Sequence, residues 1–291
     1  MKRINDASLI RDISDQLCPD LKQIIWHDSP ITASTWNAGL ETGKAVEMLT
    51  FFALIAAFRE AGSEVSFPEL YVTNPDLFFL RNIIPRHHGA QPGHDAVIGL
   101  ELPLFDRFHA AMTPKATVKT QDDRTFLIYR EGNPIHLMTF LIKYGSEYYD
   151  RPDFLITEGE IQLNFENLTE LPFVYTHPMG RVEGSLRIKN DAKIPLISLD
   201  IFGSSEIPTN GIIECSVGKG KEKASDQIAK YQKLYATSIR PISILINGQR
   251  KSCSAFDHEI LIDLTTEGVP LLAKQLVNGM RQLAENLCST S

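Results

Sequence analysis

The sequence predicts an α/β fold, and three observations predict it. A helix-period apolar run from Thr42 or Gly43 to Ala61 is the strongest helical signal in the chain. From Arg151 to Leu264 the chain turns into short strand-like runs punctuated by Gly, Pro and Asn. It then closes on a second helical stripe from Val269 to Leu287. At 291 residues it forms one large domain with room for a sizeable insertion.

Taken in order, residues 1–30 read as one or two short helices, with Leu9, Ile10, Ile13 and Leu17 at helical spacing and Pro19 ending the first. The helix from residue 43 to 61 carries Val46, Leu49, Phe52, Ala53, Ala56 and Ala57 on one side, and Gly62 closes it. Glu47 sits inside it as one carboxylate amid apolar neighbours, ordinarily a residue facing water. Ser63 to Phe67 alternates as a strand. Residues 68–150 are punctuated by Pro75, Pro85, Pro92, Pro103 and Pro114, so loops and short helices are expected there, as an insertion. Arg86-His87-His88 and His94-Asp95 lie in that stretch at a spacing that matches no defined metal-ligand pattern, and they read as a surface loop.

In the second half, Asp153 stands at the mouth of a strand running through Phe154, Leu155 and Ile156, with Pro152 tolerated at its start. Thr157-Glu158-Gly159 is a turn into a strand from Glu160 to Phe165. Arg181 to Lys189 alternates as an exposed basic strand containing Arg181, Arg187 and Lys189. Pro195 to Phe202 is a strand with Asp200 embedded in it, and a loop from Gly203 to Asn210 leads to the next. Further strands are expected over Ile242–Ile246 and from His258 to Leu264. The closing helix buries Leu272, Leu276, Met280 and Leu283.

Composition narrows the function classes. Hydrophobic residues make up 43% and charged residues 22%, ordinary for a soluble globular protein. A net charge of −7 argues against wholesale coating of nucleic acid but leaves room for a local basic groove. The four cysteines are widely spaced, with no CxxC pair, so neither a zinc site nor a disulfide framework is expected and a reducing cytoplasm is the default. Met1-Lys2-Arg3 leads into polar sequence with no apolar signal region, and the run from Met48 to Phe58 is too short to span a membrane.

The most informative stretch runs from Gly211 to Tyr235. Ile212 and Ile213 lead into Glu214, which places a carboxylate on a buried strand, costly unless it is paired or bound to metal. Gly218 and Gly220 end the strand. Ser225 and Asp226 are N-cap candidates for a helix carrying Ile228, Tyr231, Leu234 and Tyr235. Lys219, Lys221, Lys223, Lys230 and Lys233 crowd this segment against Glu222 and Asp226, which on charge alone reads as a solvated face. Lys219-Gly220-Lys221 lacks the spacing of a phosphate-binding loop, so no nucleotide cofactor is expected.

Four features occur in a set order: the helix with Gly43-Lys44-Ala45-Val46-Glu47, the Arg-Pro-Asp-Phe-Leu-Ile strand at 151–156, the Ile-Ile-Glu strand at 212–214, and the helix with Gln227 and Tyr231. Together they resemble the PD-(D/E)xK nuclease superfamily. The resemblance covers residues 43–67 and 151–246. It implies a mixed central β-sheet flanked by helices, a restriction-endonuclease-like core, and Mg2+-dependent phosphodiester hydrolysis. Mg2+ prefers carboxylate oxygens and keeps several waters. The resemblance therefore makes Glu214, the carbonyl of Cys215 and one aspartate the metal ligands.

Asp153 has the family's Arg-Pro-Asp context but lies far before Glu214, which implies an inserted segment between paired strands. Asp200 lies at hairpin distance from Glu214, and both aspartates stay candidates. Glu47 would assist the metal through water, and Gln227 and Tyr231 would contact phosphate or order the site. Ser216 occupies the position of the motif lysine, so either catalysis is lost or Lys219, Lys223 or Lys230 replaces it. Double-stranded DNA is the expected partner, cut by a homodimer with one site per strand. Base contacts would come from the 68–150 segment or the strand bearing Arg181, Arg187 and Lys189, while lysines near the cleft hold phosphates. A structure-specific repair or recombination nuclease and an inactive DNA-binding module are the alternatives.

Overall fold

The structure is a computed structural model that describes residues 12–13, 15–19, 23–26, 29–32, 42–67, 114–130, 152–163, 170–189, 196–202, 206–217, 229, 231–232, 235–237, 242–246, 258–262 and 269–289. Residues 12–13 and 15–17 are helical, as the spacing of Ile13 and Leu17 predicts. The second short helix allowed for before residue 30 is instead an antiparallel hairpin of β1 (Gln23–Trp26) and β2 (Ser29–Thr32). Ile24, Ile25 and Trp26 favour an extended chain, and a two-stranded ribbon has only edges, where Pro30 costs little.

Helix α1 (Thr42–Glu60) matches its expected span. Its burial is not one-sided: every residue from Met48 to Phe58 is buried, which explains why the segment is apolar nearly all round. The helix ends in a Schellman pattern. Ser63 N–H reaches back to Phe58 O and Gly62 N–H to Arg59 O, both at 3.0 Å, with Gly62 at a φ of 83°.

Strand β3 (Glu64–Ser66) follows directly. The described part of the segment expected to be an insertion is a hairpin of β4 (Ala116–Lys119) and β5 (Thr125–Arg130), turned at Asp123 with a φ of 69°. These strands belong to the main sheet, so residues 68–150 are not wholly an insertion into it. The proline spacing hid them because Thr125-Phe126-Leu127-Ile128-Tyr129 lies between the prolines rather than across one.

Next come β6 (Phe154–Thr157), β7 (Glu160–Leu163), β8 (Glu170–His177), β9 (Gly180–Lys189), β10 (Leu196–Phe202) and β11 (Ile207–Thr209). They are followed by β12 (Gly211–Val217), β13 (Tyr235–Thr237), β14 (Ile242–Ile246), β15 (His258–Ile262) and helix α2 (Val269–Ser289). Tyr235 lies in β13 rather than continuing the helix of Tyr231, and β11 lies in the stretch expected as a loop. The two pair in parallel, Ile207 opposite Tyr235. Strand β8 was hidden by Pro172, which sits near its beginning.

The fold is mixed α/β. A seven-stranded sheet has the order β15-β14-β12-β6-β5-β4-β3. From β12 to β3 neighbours run antiparallel, while β14 and β15 run parallel to β12. Helices α1 and α2 share one core against this sheet, with Leu276, Met280, Leu283 and Leu287 meeting Phe51, Phe52, Phe58, Phe126 and Phe154. The chain between β6 and β12 builds a separate four-stranded antiparallel sheet, β10-β9-β8-β7.

A buried polar knot joins the two sheets where β6 ends. Arg124 grips Glu158 with two N–H donors, at 3.0 and 2.8 Å, and Asn210 donates to the same carboxylate at 2.8 Å. Burial pushes the Glu158 carboxyl up, but the bonds from Arg124 and Asn210 outweigh it and hold it below the usual range. Asn210 Oδ1 also meets His177 Nε2 at 2.8 Å. Because Met179 N–H donates to His177 Nδ1, the ring proton resides on Nε2, and burial keeps this imidazole neutral.

Tyr175 completes the knot, bonded to Thr157 Oγ1 at 2.6 Å and donating to Pro208 O at 2.9 Å. A Cβ on Gly159 would stand 1.9 Å from Tyr175 Oη, and that phenol is pinned by two buried bonds. Gly159→Ala is therefore expected to cost about 1–3 kcal/mol as an overpacked site, read as a lower urea midpoint. Tyr175→Phe should not rescue it in the double variant, because the ring carbon Cζ would still stand 2.1 Å from that Cβ.

Candidate metal centre

Strand β12 places its residues by alternation. Cys215 faces α1, with its Sγ 3.5 Å from Thr50 Oγ1, and Ile213 belongs to the core shared with that helix. Glu214 therefore points to the opposite face, where it is only 4% exposed. On the neighbouring antiparallel strand Phe154 pairs with Ile213. Continuing that register one step sets Asp153 across from Glu214. The two are drawn together further by the backbone: Cys215 N–H donates to Asp153 Oδ2 at 2.6 Å. The segment between these paired strands is the four-stranded sheet together with β11, so the long separation in sequence is spanned by an inserted unit.

Tyr231, fully buried, donates its hydroxyl to Glu214 Oε2 at 3.3 Å. It thus braces the acid from within the core. Burial first, and then the neighbouring Asp153, push the Glu214 carboxyl up to about 9, with the Tyr231 bond working the other way. The Cys215 thiol is likewise raised by burial and by Asp153. A buried carboxyl facing a second acid holds a proton or gains a cation.

The backbone of Asp200 belongs to another sheet. Its strand β10 lies at the edge of the four-stranded sheet, Asp200 opposite Ser185, and among the described residues β10 does not pair with β12. The hairpin that the short separation favoured does not form, because β11 intervenes. Glu47 lies on α1, one turn before Thr50 and Phe51, and Phe51 stacks on Phe154 at 6.1 Å. Its Oε2 accepts from Arg130 Nε at 2.8 Å and from Arg130 Nη2. Arg130, at the end of β5 opposite Phe154, is buried with its side chain 1% exposed. The sequence did not single out Arg130, although a basic residue ending an otherwise apolar strand was a usable signal.

Of the remaining candidates, Arg181 is exposed and pairs with Glu183 at 2.6 Å, which blunts the basic face expected of β9. Arg187 and Lys189 lie further along β9, opposite Ser198 and Leu196. Ser216 continues β12 opposite Leu245. Lys219, Lys223, Gln227 and Lys230 lie outside the described residues, as do His87, His88, His94 and Asp95.

Mg2+ is usually held by one or two carboxylates and several waters, so a pair of acids such as Asp153 and Glu214 would be enough of a protein share for it. Among the described residues no three His, Cys, Asp or Glu side chains close into an all-protein cage, the arrangement that zinc would ask for. No helix among the described residues is long and apolar enough to cross a membrane. Comparison with protein-family models, curated proteins and solved structures gives no match.

Proposed function

We propose that this chain is a Mg2+-dependent DNA endonuclease of the restriction type, built on a restriction-endonuclease-like core and acting on double-stranded DNA as a homodimer. One observation carries the reading: Asp153, one residue before β6, is bonded to the Cys215 amide of β12 beside the buried Glu214, whose carboxyl it helps to raise. The surrounding order supports it. Helix α1 precedes a strand with Asp153 just before its start, a Glu-bearing strand follows, and a parallel strand lies beyond the helical residues at Tyr231.

Asp153 and Glu214 would hold the ion, which supplies charge neutralisation at the phosphate and a hydroxide-like water near neutral pH. The chain's own residues do the rest. Tyr231 fixes the Glu214 carboxylate, and the Cys215 amide fixes Asp153, so neither acid swings away when the cation's charge is felt. A lysine from 219, 223 or 230 would orient the attacking water in place of Ser216.

Ser216 itself favours one other reading, an inactive DNA-binding module. Incubating the purified protein with a plasmid panel and Mg2+, beside an EDTA control, separates the two. Discrete metal-dependent bands support a sequence-reading nuclease, and cutting confined to flaps or junctions supports a shape-reading one. Intact plasmids that are still retarded in a gel would leave only the binding module.

A further inference from the structure

Strands β6 and β12 bring Asp153 and Glu214 to one end of their pairing, and no short turn joins the two strands. Glu158 follows β6 directly and Asn210 directly precedes β12, yet they are 52 residues apart, with the four-stranded sheet strung between them. In a hairpin the turn fixes the register of an antiparallel pair, and here a whole sheet takes the turn's place. The apolar pattern does not set the register either. Phe154, Leu155, Ile156, Ile212 and Ile213 are each at most 1% exposed, so both faces of both strands are buried. A one-residue slip moves every side chain of a strand to the opposite face, and here it would exchange one buried apolar residue for another. It would also turn Asp153 and Glu214 to opposite sides of the sheet.

At the far end of the pairing stands a polar clamp. Ile156 O accepts from the Asn210 N–H and from Thr209 Oγ1, both at 3.0 Å. Asn210 Oδ1 accepts the Glu158 N–H at 2.7 Å, while its Nδ2 donates to Glu158 Oε2 at 2.8 Å. Arg124 holds that carboxylate too and reaches Leu287 O at 2.9 Å, which ties the clamp to helix α2. A slip would break the four bonds of Thr209 and Asn210. Both residues are buried, so water would not replace what was lost.

We propose that Asn210 is a positioning residue: with Glu158 it sets the β6–β12 register that brings Asp153 to Glu214. This rests on the metal reading of those two acids given above. The effect travels along the paired residues Gly211–Ile156, Ile212–Leu155 and Ile213–Phe154, which lead from the clamp to the acids.

The test reads register and ion binding separately on the full chain. NMR follows the cross-strand contacts of Ile212 with Leu155 and of Ile213 with Phe154, and calorimetry measures Mn2+ affinity. Asn210→Ala is expected to lose those contacts and to bind Mn2+ about tenfold more weakly than wild type. Thr209→Val keeps the side-chain shape, removes one donor to Ile156 O, and should weaken Mn2+ binding about threefold. Leu276→Val lowers stability from the core of α2 and should leave both the contacts and the affinity as in wild type, which a general loss of stability would not. Native contacts in a folded Asn210→Ala would overturn the proposal, as would lost contacts with undiminished affinity. Equal weakening in Leu276→Val would overturn it as well. If Asn210→Ala does not fold, Thr209→Val decides, and wild-type affinity there sinks the idea. No Mn2+ on wild type would remove the metal reading, and the positioning role with it, even where the contacts show that Asn210 sets the register.

Discussion

Glu214→Ala is expected to abolish Mg2+-dependent cleavage of duplex DNA, and Asp153→Asn to do the same, while Asp200→Ala leaves the rate within about twofold of wild type. The asymmetry between the aspartates follows from strand pairing. Asp153 precedes the strand hydrogen-bonded to β12, and Asp200 lies in another sheet. Loss of an ion that contributes several kcal/mol to the transition state lowers the rate by roughly 10³-fold. Thermal melts of each variant guard against misfolding. Full activity in Glu214→Ala, or loss in Asp200→Ala with Asp153→Asn active, would discard the proposed centre.

A second large effect is expected in how stability depends on pH. The Glu214 carboxyl is raised in the folded chain to about 9 from an ordinary value of 4.5. Between those values the folded chain retains a proton that the unfolded chain has lost, so stability falls as pH rises. The contribution is whole below the unfolded value and is gone once the pH has passed the folded one. Without metal, the Tm should drop by roughly 10 °C between pH 5 and pH 9, the consequence of a few kcal/mol in a chain of this size. Glu214→Gln, which resembles the protonated acid, should flatten that decline.

Mg2+ should reverse it, because the ion replaces the proton that high pH removes. At about 100 times its Kd, a ligand specific for the folded form adds about 2.7 kcal/mol. The Mg2+-induced rise in Tm should therefore be present at pH 8–9, absent at pH 5, and missing from Glu214→Gln at every pH. An equal rise in wild type and Glu214→Gln would place the ion elsewhere. This measurement needs no DNA and no turnover, so it judges the centre even if the chain only binds DNA.

Much of the fold was legible because it rests on local pattern. The apolar period of α1, the stop at Gly62, the run of β12 into Glu214 and the stripe of α2 each announce themselves within a few residues. The hairpin of β4 and β5 did not, since prolines on either side gave the stronger local signal. Strand β8 was masked in the same way by Pro172, and β13 by the helical spacing of Tyr231 and Tyr235. In each case pairing with a distant strand overrode what the nearest residues favoured.

By itself the sequence determined that Glu214, after two isoleucines, stands as a buried acid; it set Asp153 at the mouth of an apolar run and left Glu47, within an apolar helix, facing water. Only the tertiary structure decided which of them meet. Asp153 rather than Asp200 opposes Glu214 because β6 is the strand paired with β12, and Glu47 is claimed by Arg130 from a strand that the sequence left unassigned. The physical reason is range. Propensity and periodicity act over a few residues, whereas strand register and ion pairing join groups scores of positions apart, and no local pattern carries that information.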